Sequence, residues 1–470
     1  MADQYTRFCK STNLFIDDWL IEASEGLDSI THQPEKYPEP VLRKEEDWHL
    51  QPQWFMEVKY DPEKDIFRTW YNLKNPEHTP SICYAYAESR DGVHWYRPGL
   101  GLVEACGSKN NNILDAPFRN FGLFLVDQGE KCEDPRRRYM MAYFDQRQSP
   151  EKNGMCIAFS PDGFTFKNHE GNPVIPQSRR SADHPEQGHI NIISDIIDGC
   201  KDPLKDEYLV GCKIEKSGFP GKPHFHAEGW RRCVGMTTSS DFINWTDPVL
   251  IVQPDPNNGI EEFYGFKPTV RGNLYFGFLR VLRDDLSADP GGPVEGIGWT
   301  ELLTSRDGIN WIRHPEAFID RNKEPGTWDH AMAWYAAGIS VDDLEYIYYG
   351  GYSSGHKIGD RQVGLAVLRK NGFVSRSAGS SDAILRTYPS ILPSDALTVN
   401  ACIKGELRVR LIDEDGRALP GLDWKDCIPV SGDSVSHSIS WNSGSALPRD
   451  KKVRLEFILR DTDLYGFDFI

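Results

Sequence analysis

Short runs of apolar and aromatic residues recur along most of the chain, each too brief for a helix and bounded by turn formers. "YMMAYFD" (139–145), "GMCIAFS" (154–160), "NLYFGFL" (273–279) and "YIYYGGY" (346–352) are of this kind. Their β-branched and aromatic content predicts strands. The "SPDG", "DPNNG", "DPGG" and "KNG" stretches between them predict turns. "VKYDPEKDIFRTWYN" (58–72) and "KCEDPRRRYMMAYF" (131–144) read as hairpins turning at Asp61-Pro62 and Asp134-Pro135. Long amphipathic helical patterns are scarce, so the predicted class is all-β.

A longer period overlies the short one. "SRDGVHW" (89–95), "SPDGFTF" (160–166), "SSDFINW" (239–245) and "SRDGINW" (305–311) are copies of one motif, with a weaker "RKNGFVS" at 369–375. Their separation of 64 to 79 residues suits one four-stranded propeller blade with long loops. Within the motif, Asp caps backbone N–H groups, Gly accepts a positive φ, and the aromatic returns to pack between blades. This reads as stitching at the rim rather than as a repeated ligand site. The chain therefore divides into residues 1–384, a five-bladed β-propeller with an N-terminal entry strand, and residues 385–470. In the second part "GELRVRLIDEDGRALPGLD" and "KKVRLEFILRDTDLYGFDF" alternate strictly between apolar and polar positions, as a small β-sandwich-like module would. "NLFIDDWLIE" (13–22) is expected to clamp onto the propeller or close its last blade.

The net charge of -17 argues against nucleic acid or an anionic membrane surface as the main partner. No apolar run is long enough to cross a membrane as a helix. The ten Cys are scattered without a C-x-x-C pair, which reads as thiols in a reducing compartment and as no zinc site. The expected location is cytoplasmic; a secreted protein whose leader has been trimmed would start the same way. The 13 Trp serve core filling or sugar stacking. Oligomeric state is not legible.

Propellers bind ligands at one mouth of a central funnel, so the stretches that open each unit matter most. They read "QWFMEVKYD" (53–61), "NNNILDAPFRNFG" (110–122), "DHPEQGHINIISD" (183–195), "NGIEEFYGFKP" (258–268) and "GTWDHAMAW" (326–334). Glu57, Asp115, Glu262 and Asp329 are the candidate catalytic carboxylates. Carboxylates that converge repel, which raises at least one pKa and yields a proton donor beside an ionised partner, as glycoside cleavage requires. Trp54, Asp183, His189, Trp328 and His330 are candidate substrate contacts, with core packing or ordinary ion pairing as the alternative for each. P-loop, dinucleotide-binding, nucleophile-elbow and H-E-x-x-H motifs are absent. His224 and His226 offer a metal pair or an exposed loop. Arg179-Arg180 and Arg231-Arg232 offer anion contacts or ordinary surface charge.

These residues resemble the five-bladed β-propeller glycoside hydrolase superfamily of fructan hydrolases, arabinanases, β-xylosidases and mannoside phosphorylases. The likeness is to a bacterial branch, carried by "LFIDDWLI", the "S-R-D-G-x-x-W" turns, "GTWDHAM", "VGLAVLRKNGFVS" and the C-terminal strand set. The resemblance implies a nucleophile or base from the first blade, a second acid from the next and a proton donor from the third. By position Glu57 falls at the first and Asp115 at the second, while Asp183, Glu186 and His189 compete for the third. The fructan-type "NDPNG" and "RDP" signatures are absent. The implied activity is a glycosidase acting on a furanoside or modified pyranoside, with a glycoside phosphorylase or a non-catalytic glycan-binding propeller as alternatives. No cofactor is required; the resemblance allows a calcium ion in the central channel.

Overall fold

The computed structural model describes residues 7–44, 51–74, 82–105, 107–117, 120–146, 152–177, 190–191, 193–224 and 226–470. It is all-β: the described helices are the single 3-10 turns Asp18–Leu20 and Pro135–Arg137. Four-stranded antiparallel meanders recur in chain order. The first unit is Gln51–Asp61, Ile66–Lys74, Ile82–Ser89 and Trp95–Tyr96; the second is Asn120–Asp127, Tyr139–Asp145, Gly154–Ser160 and Lys167–Asn168. The third is Ile197–Asp202, Glu207–Ser217, Trp230–Ser239 and Val249–Val252. The fourth is Glu262–Arg271, Leu274–Arg283, Ile297–Ser305 and Ile312–Ile319. A fifth unit, Met332–Val341, Leu344–Tyr352 and Arg361–Arg369, takes its fourth strand, Glu35–Lys36, from near the start of the chain. The leading strands of the five units touch in sequence, and the fifth returns to the first, so the sheets curl about a common axis.

The N-terminal stretch packs on the fourth unit through Leu14 and Ile16, beside Phe276 and Phe278, and through the Asp17–Arg306 pair, while its strands pair elsewhere. Asn13–Leu14, Ile21–Glu25 and Leu27–Thr31 pair with the C-terminal sheet, and only Glu35–Lys36 joins the last unit. Val374–Ala378 and Ala383–Thr387 also belong to that eight-stranded sheet, so it begins before residue 385. Apolar burial explains the choice. Phe15 is fully buried 5.7 Å from Phe457 and 5.5 Å from Phe467, in a core that neither segment could close alone. Two 16-residue strands, Leu397–Ile412 and Arg454–Phe469, form the spine of this sheet.

The repeated motif does join neighbouring units. In all four full copies the Ser hydroxyl donates to the Asp carboxylate, at 2.8 to 3.0 Å, and accepts the N–H three residues on at 2.9 Å. The same Asp oxygen accepts two further backbone N–H groups. The residue after Asp sits at φ 73, 81, 68 and 77° in turn, which suits Gly92, Gly163 and Gly308. Phe242 holds that left-handed conformation because its ring is buried against Phe124 and Tyr208. A donor from the preceding unit then caps each turn: Tyr348 on the Gly92 carbonyl, Trp70 on Gly163, Arg137 on Asp241 and Lys205 on Asp307.

These turns set an acid-stability limb. Partial burial raises the Asp241 and Asp307 carboxyls, but backbone N–H bonds outweigh it and hold both at about 2. Asp91 and Asp162 are lowered for the same reason. Folded values lie below the unfolded value of about 3.9, so the stabilisation is complete above about pH 5 and is lost as pH falls towards about 2. Replacing all four Asp by Asn keeps the acceptor oxygens and removes the titration. Melting temperature measured from about pH 5 to pH 2 is expected to fall less steeply in the variant than in the wild type.

Candidate active site

Four of the five leading strands carry an irregularity, and in the third unit the irregular stretch directly precedes the regular strand Ile197–Asp202. Pro52 pairs with Leu73 and Met56 with Tyr71, so residues 53–55 stand opposite Asn72 alone. Gly122 and Leu123 oppose Tyr143, residues 193–196 stand between the Asn191–Glu215 and Ile197–Cys212 pairs, and Tyr264 and Ala336 are single-residue bulges. Such extra residues break the ladder and re-aim side chains, as happens beside many active sites. One end of the axis is thus a mouth of loosened strands and the other a collar of paired ones.

The collar encloses a cavity of about 520 Å³ lined by all five strands, from Glu57–Lys59, Phe124–Gln128, Gly199–Lys201, Lys267–Thr269, and Tyr335 with Gly338. Glu57 lies here, ion-paired with Lys267, and both side chains are 8% exposed. The calcium ion allowed in the central channel does not fit this lining: its carboxylates are already paired, Glu57 with Lys267 and Asp127 with Arg68 and Arg138, and Lys59 and Lys201 add further positive charge. Among the described residues no group of three or more His, Cys, Asp or Glu is placed to hold a metal.

The mouth holds a denser polar cluster, centred on Tyr264. Lys213 Nζ lies 4.7 Å and the Arg232 guanidinium 5.5 Å from its ring centroid; His356 meets it edge-on at 4.9 Å and Trp334 stacks at 4.6 Å. Asp195 pairs with Lys213 and accepts from the Ser194 hydroxyl at 3.2 Å; its side chain is 31% exposed, that of Lys213 5%. Burial works to raise the Asp195 carboxyl, but Lys213 and Arg232 outweigh it and hold it below the usual range. Glu262, fully buried, pairs with Arg232; burial pushes its carboxyl up against that guanidinium. Arg361 donates to the Gln53 side chain at 2.7 Å. Burial, then Arg232 and Lys357, push the His356 imidazole down to about 2, so it is neutral at working pH. Lys357 is lowered by burial, then by Arg232 and Lys213. Cations from the third and fifth units therefore crowd one ionised, part-exposed carboxylate in a chain whose net charge is -17.

The predicted carboxylates do not converge. Glu57 reaches the axis, but in the collar. Glu262 lies at the mouth, sealed behind Arg232. Asp115 is exposed and pairs through its backbone with Phe164 and Phe166, beside the turn of the second unit, because residues 112–114 hydrogen-bond along the third strand of the first unit. Asp329 is buried off the axis between Lys36, at 2.7 Å, and the Tyr349 hydroxyl, at 3.1 Å, where it braces the closing strand Glu35–Lys36. Trp54 is core, donating to the Tyr352 hydroxyl at 2.8 Å with Arg280 3.9 Å from its ring. Trp328, half-buried, stacks on Tyr349 and donates to the Pro38 carbonyl. His330 is buried between the Asn322 carbonyl and Asp289. Asp183 and His189 lie outside the described residues.

Sequence reasoning missed Asp195, Lys213, Tyr264, His356 and Arg361. Two of them stand in stretches singled out above, Asp195 ending "HINIISD" and Tyr264 within "EEFYGF". Arg232 belongs to the Arg231-Arg232 pair; both are buried rather than surface charges, and Arg232 is ion-paired with Glu262. Which residue of each opener faces the mouth depends on the bulges, and single inserted residues leave no mark in a strand pattern.

No protein-family model and no curated protein matches the chain. Among solved structures it is similar to an N-acetylgalactosamine deacetylase from F. plautii in complex with blood group B trisaccharide, at 16% identity and TM-score 0.43 over 73% of this chain and 96% of that one. It is similar to a glycosyl hydrolase from Bacteroides ovatus at 12% identity and TM-score 0.40, over 77% of this chain and 93% of that one. It is also similar to a β-fructofuranosidase from Bombyx mori at 11% identity and TM-score 0.42, over 93% and 94% of the two chains.

Proposed function

We propose that the chain is a five-bladed β-propeller enzyme that cleaves a glycosidic bond at its axial mouth. The observation that carries this reading is a pair of mouth carboxylates in different settings: Asp195, part-exposed, is held down against burial by Lys213, and Glu262, fully buried against Arg232, is pushed up by burial. Divergent environments for two carboxylates are how acid and base roles are divided in glycoside cleavage. The ionised Asp195 faces the positive charge that develops at the anomeric carbon. Glu262, the buried carboxyl, is the candidate donor, and that role requires Arg232 to turn from it to the substrate. The substrate is a furanoside or a modified pyranoside.

A specific observation favours a second reading, phosphorolysis. Lys213 and Arg232 act on Asp195, and Lys357 and Arg361 act on the adjoining His356; cations so gathered would hold an oxyanion, and phosphate there would replace water as the nucleophile. A panel of aryl furanosides and aryl pyranosides, assayed with and without inorganic phosphate, separates the cases. Release of the aryl alcohol without phosphate is expected. Release only with phosphate, giving a sugar 1-phosphate, moves the assignment to phosphorolysis. Sugar binding with no release on the whole panel sinks both and leaves a glycan-binding propeller.

A further inference from the structure

A second polar pocket stands beside the mouth. It has a volume of about 370 Å³, within the usual range for small-molecule sites. Its walls come from the loops that follow Arg283 and Tyr352 and the loop that precedes Met332, so it lies where the fourth and fifth units meet. Glu295 and His356 form the partition between pocket and mouth: Glu295 lines the pocket, its carbonyl accepts from the His356 N–H at 2.7 Å, and the His356 ring packs on Tyr264.

The chemistry of the pocket is opposite to that of the mouth. The buried His330 sets Nδ1 3.0 Å from the Asn322 carbonyl and Nε2 3.0 Å from the Asp289 carboxylate, so both ring nitrogens face acceptors. Asp289 and Glu295 supply carboxylate acceptors, while Thr327, Ser353 and Ser354 supply hydroxyls that both donate and accept. No Lys or Arg lines it. Acceptors and hydroxyls with no Lys or Arg among them suit the vicinal hydroxyls of an uncharged sugar and disfavour an anion.

We propose that this pocket binds a neutral sugar ring of an oligosaccharide whose scissile residue sits in the adjoining mouth. The inference rests on the glycosidic reading above and adds to it that the substrate extends across the Glu295–His356 partition. The mouth then reads the reacting sugar and the pocket selects chain length.

Calorimetric titration of the full chain with neutral oligosaccharides of one to five residues tests this. Affinity is expected to rise about tenfold or more when the chain becomes long enough to enter the pocket, the value of one well-made set of hydrogen bonds. Ser354→Trp, at an exposed position on the pocket wall, fills the space and is expected to abolish that gain while the aryl monoglycoside is still turned over. Ser354→Ala keeps the space and is expected to retain most of the gain, which separates blockage from misfolding. A wild type with no dependence on chain length, or a Ser354→Trp variant that keeps it, overturns the proposal. Turnover of aryl glycosides reads the mouth independently: turnover without length dependence rejects the pocket alone, whereas length-dependent binding without turnover rejects the glycosidic reading and supports the pocket.

Discussion

Asp195→Asn is expected to lower kcat/KM on the best aryl glycoside by about a thousandfold or more, the usual scale for losing a positioned acid–base group. The substitution preserves shape and the bond from Ser194, so the loss is one of charge. Asp195 is held ionised by Lys213 and Arg232, and its activity is accordingly expected to survive acidification to below about pH 4, the ordinary carboxylate range. Removing the carboxylate also strands Lys213, whose side chain is 5% exposed. A buried charge without its partner is destabilising, so the variant's melting temperature should fall, and Lys213→Met placed on top of it should recover stability without recovering turnover. Asp115→Asn is the control: an exposed side chain beside the second unit's turn should change neither quantity. A full rate in Asp195→Asn, with normal phosphate and pH dependence, would remove Asp195 from the chemistry.

Much of the architecture was legible because it is periodic. The Ser-Asp turns recur at the spacing of one meander, and each turn's geometry is set by three neighbouring residues, so a local pattern reports a global repeat. The alternation in "GELRVRL" and "VRLEFIL" was legible for the same reason. The site was less so. Glu57, Asp115, Glu262 and Asp329 occupy similar places in the sequence of their units, yet one faces the collar, one the surface, one the mouth and one a neighbouring strand. Glu57 follows the extra residues of its strand and Glu262 precedes those of its own, while Asp115 and Asp329 stand before their leading strands begin, so equal places in the sequence are unequal places in the sheet. The mouth also draws on partners remote in sequence: Asp195, Tyr264 and His356 meet only because three units close on one axis. The place of residues 13–31 was hidden too, since nothing local to "NLFIDDWLIE" reveals that Phe457 and Phe467 complete its core.

Lys267→Met should separate the collar from the mouth. Glu57 and Lys267 form an ion pair almost out of solvent, where deleting one partner leaves the other charged and desolvated. The expected cost is about 3–5 kcal/mol, seen as a fall in melting temperature and in the denaturant midpoint. Glu57→Gln should be similarly damaging, for it strands the ammonium. The double variant Glu57→Gln, Lys267→Met removes both charges from the low-dielectric axis, and most of the loss should return, because a matched pair earns little net stability once its desolvation is counted. Through all three variants the folded fraction should keep its turnover, since the pair lies among the regular halves of the leading strands while Asp195 and Tyr264 lie among the irregular ones. If Glu57→Gln instead abolished turnover at unchanged stability, the reaction would have to be placed in the collar cavity, with Glu57 as its carboxylate and the mouth as an entrance.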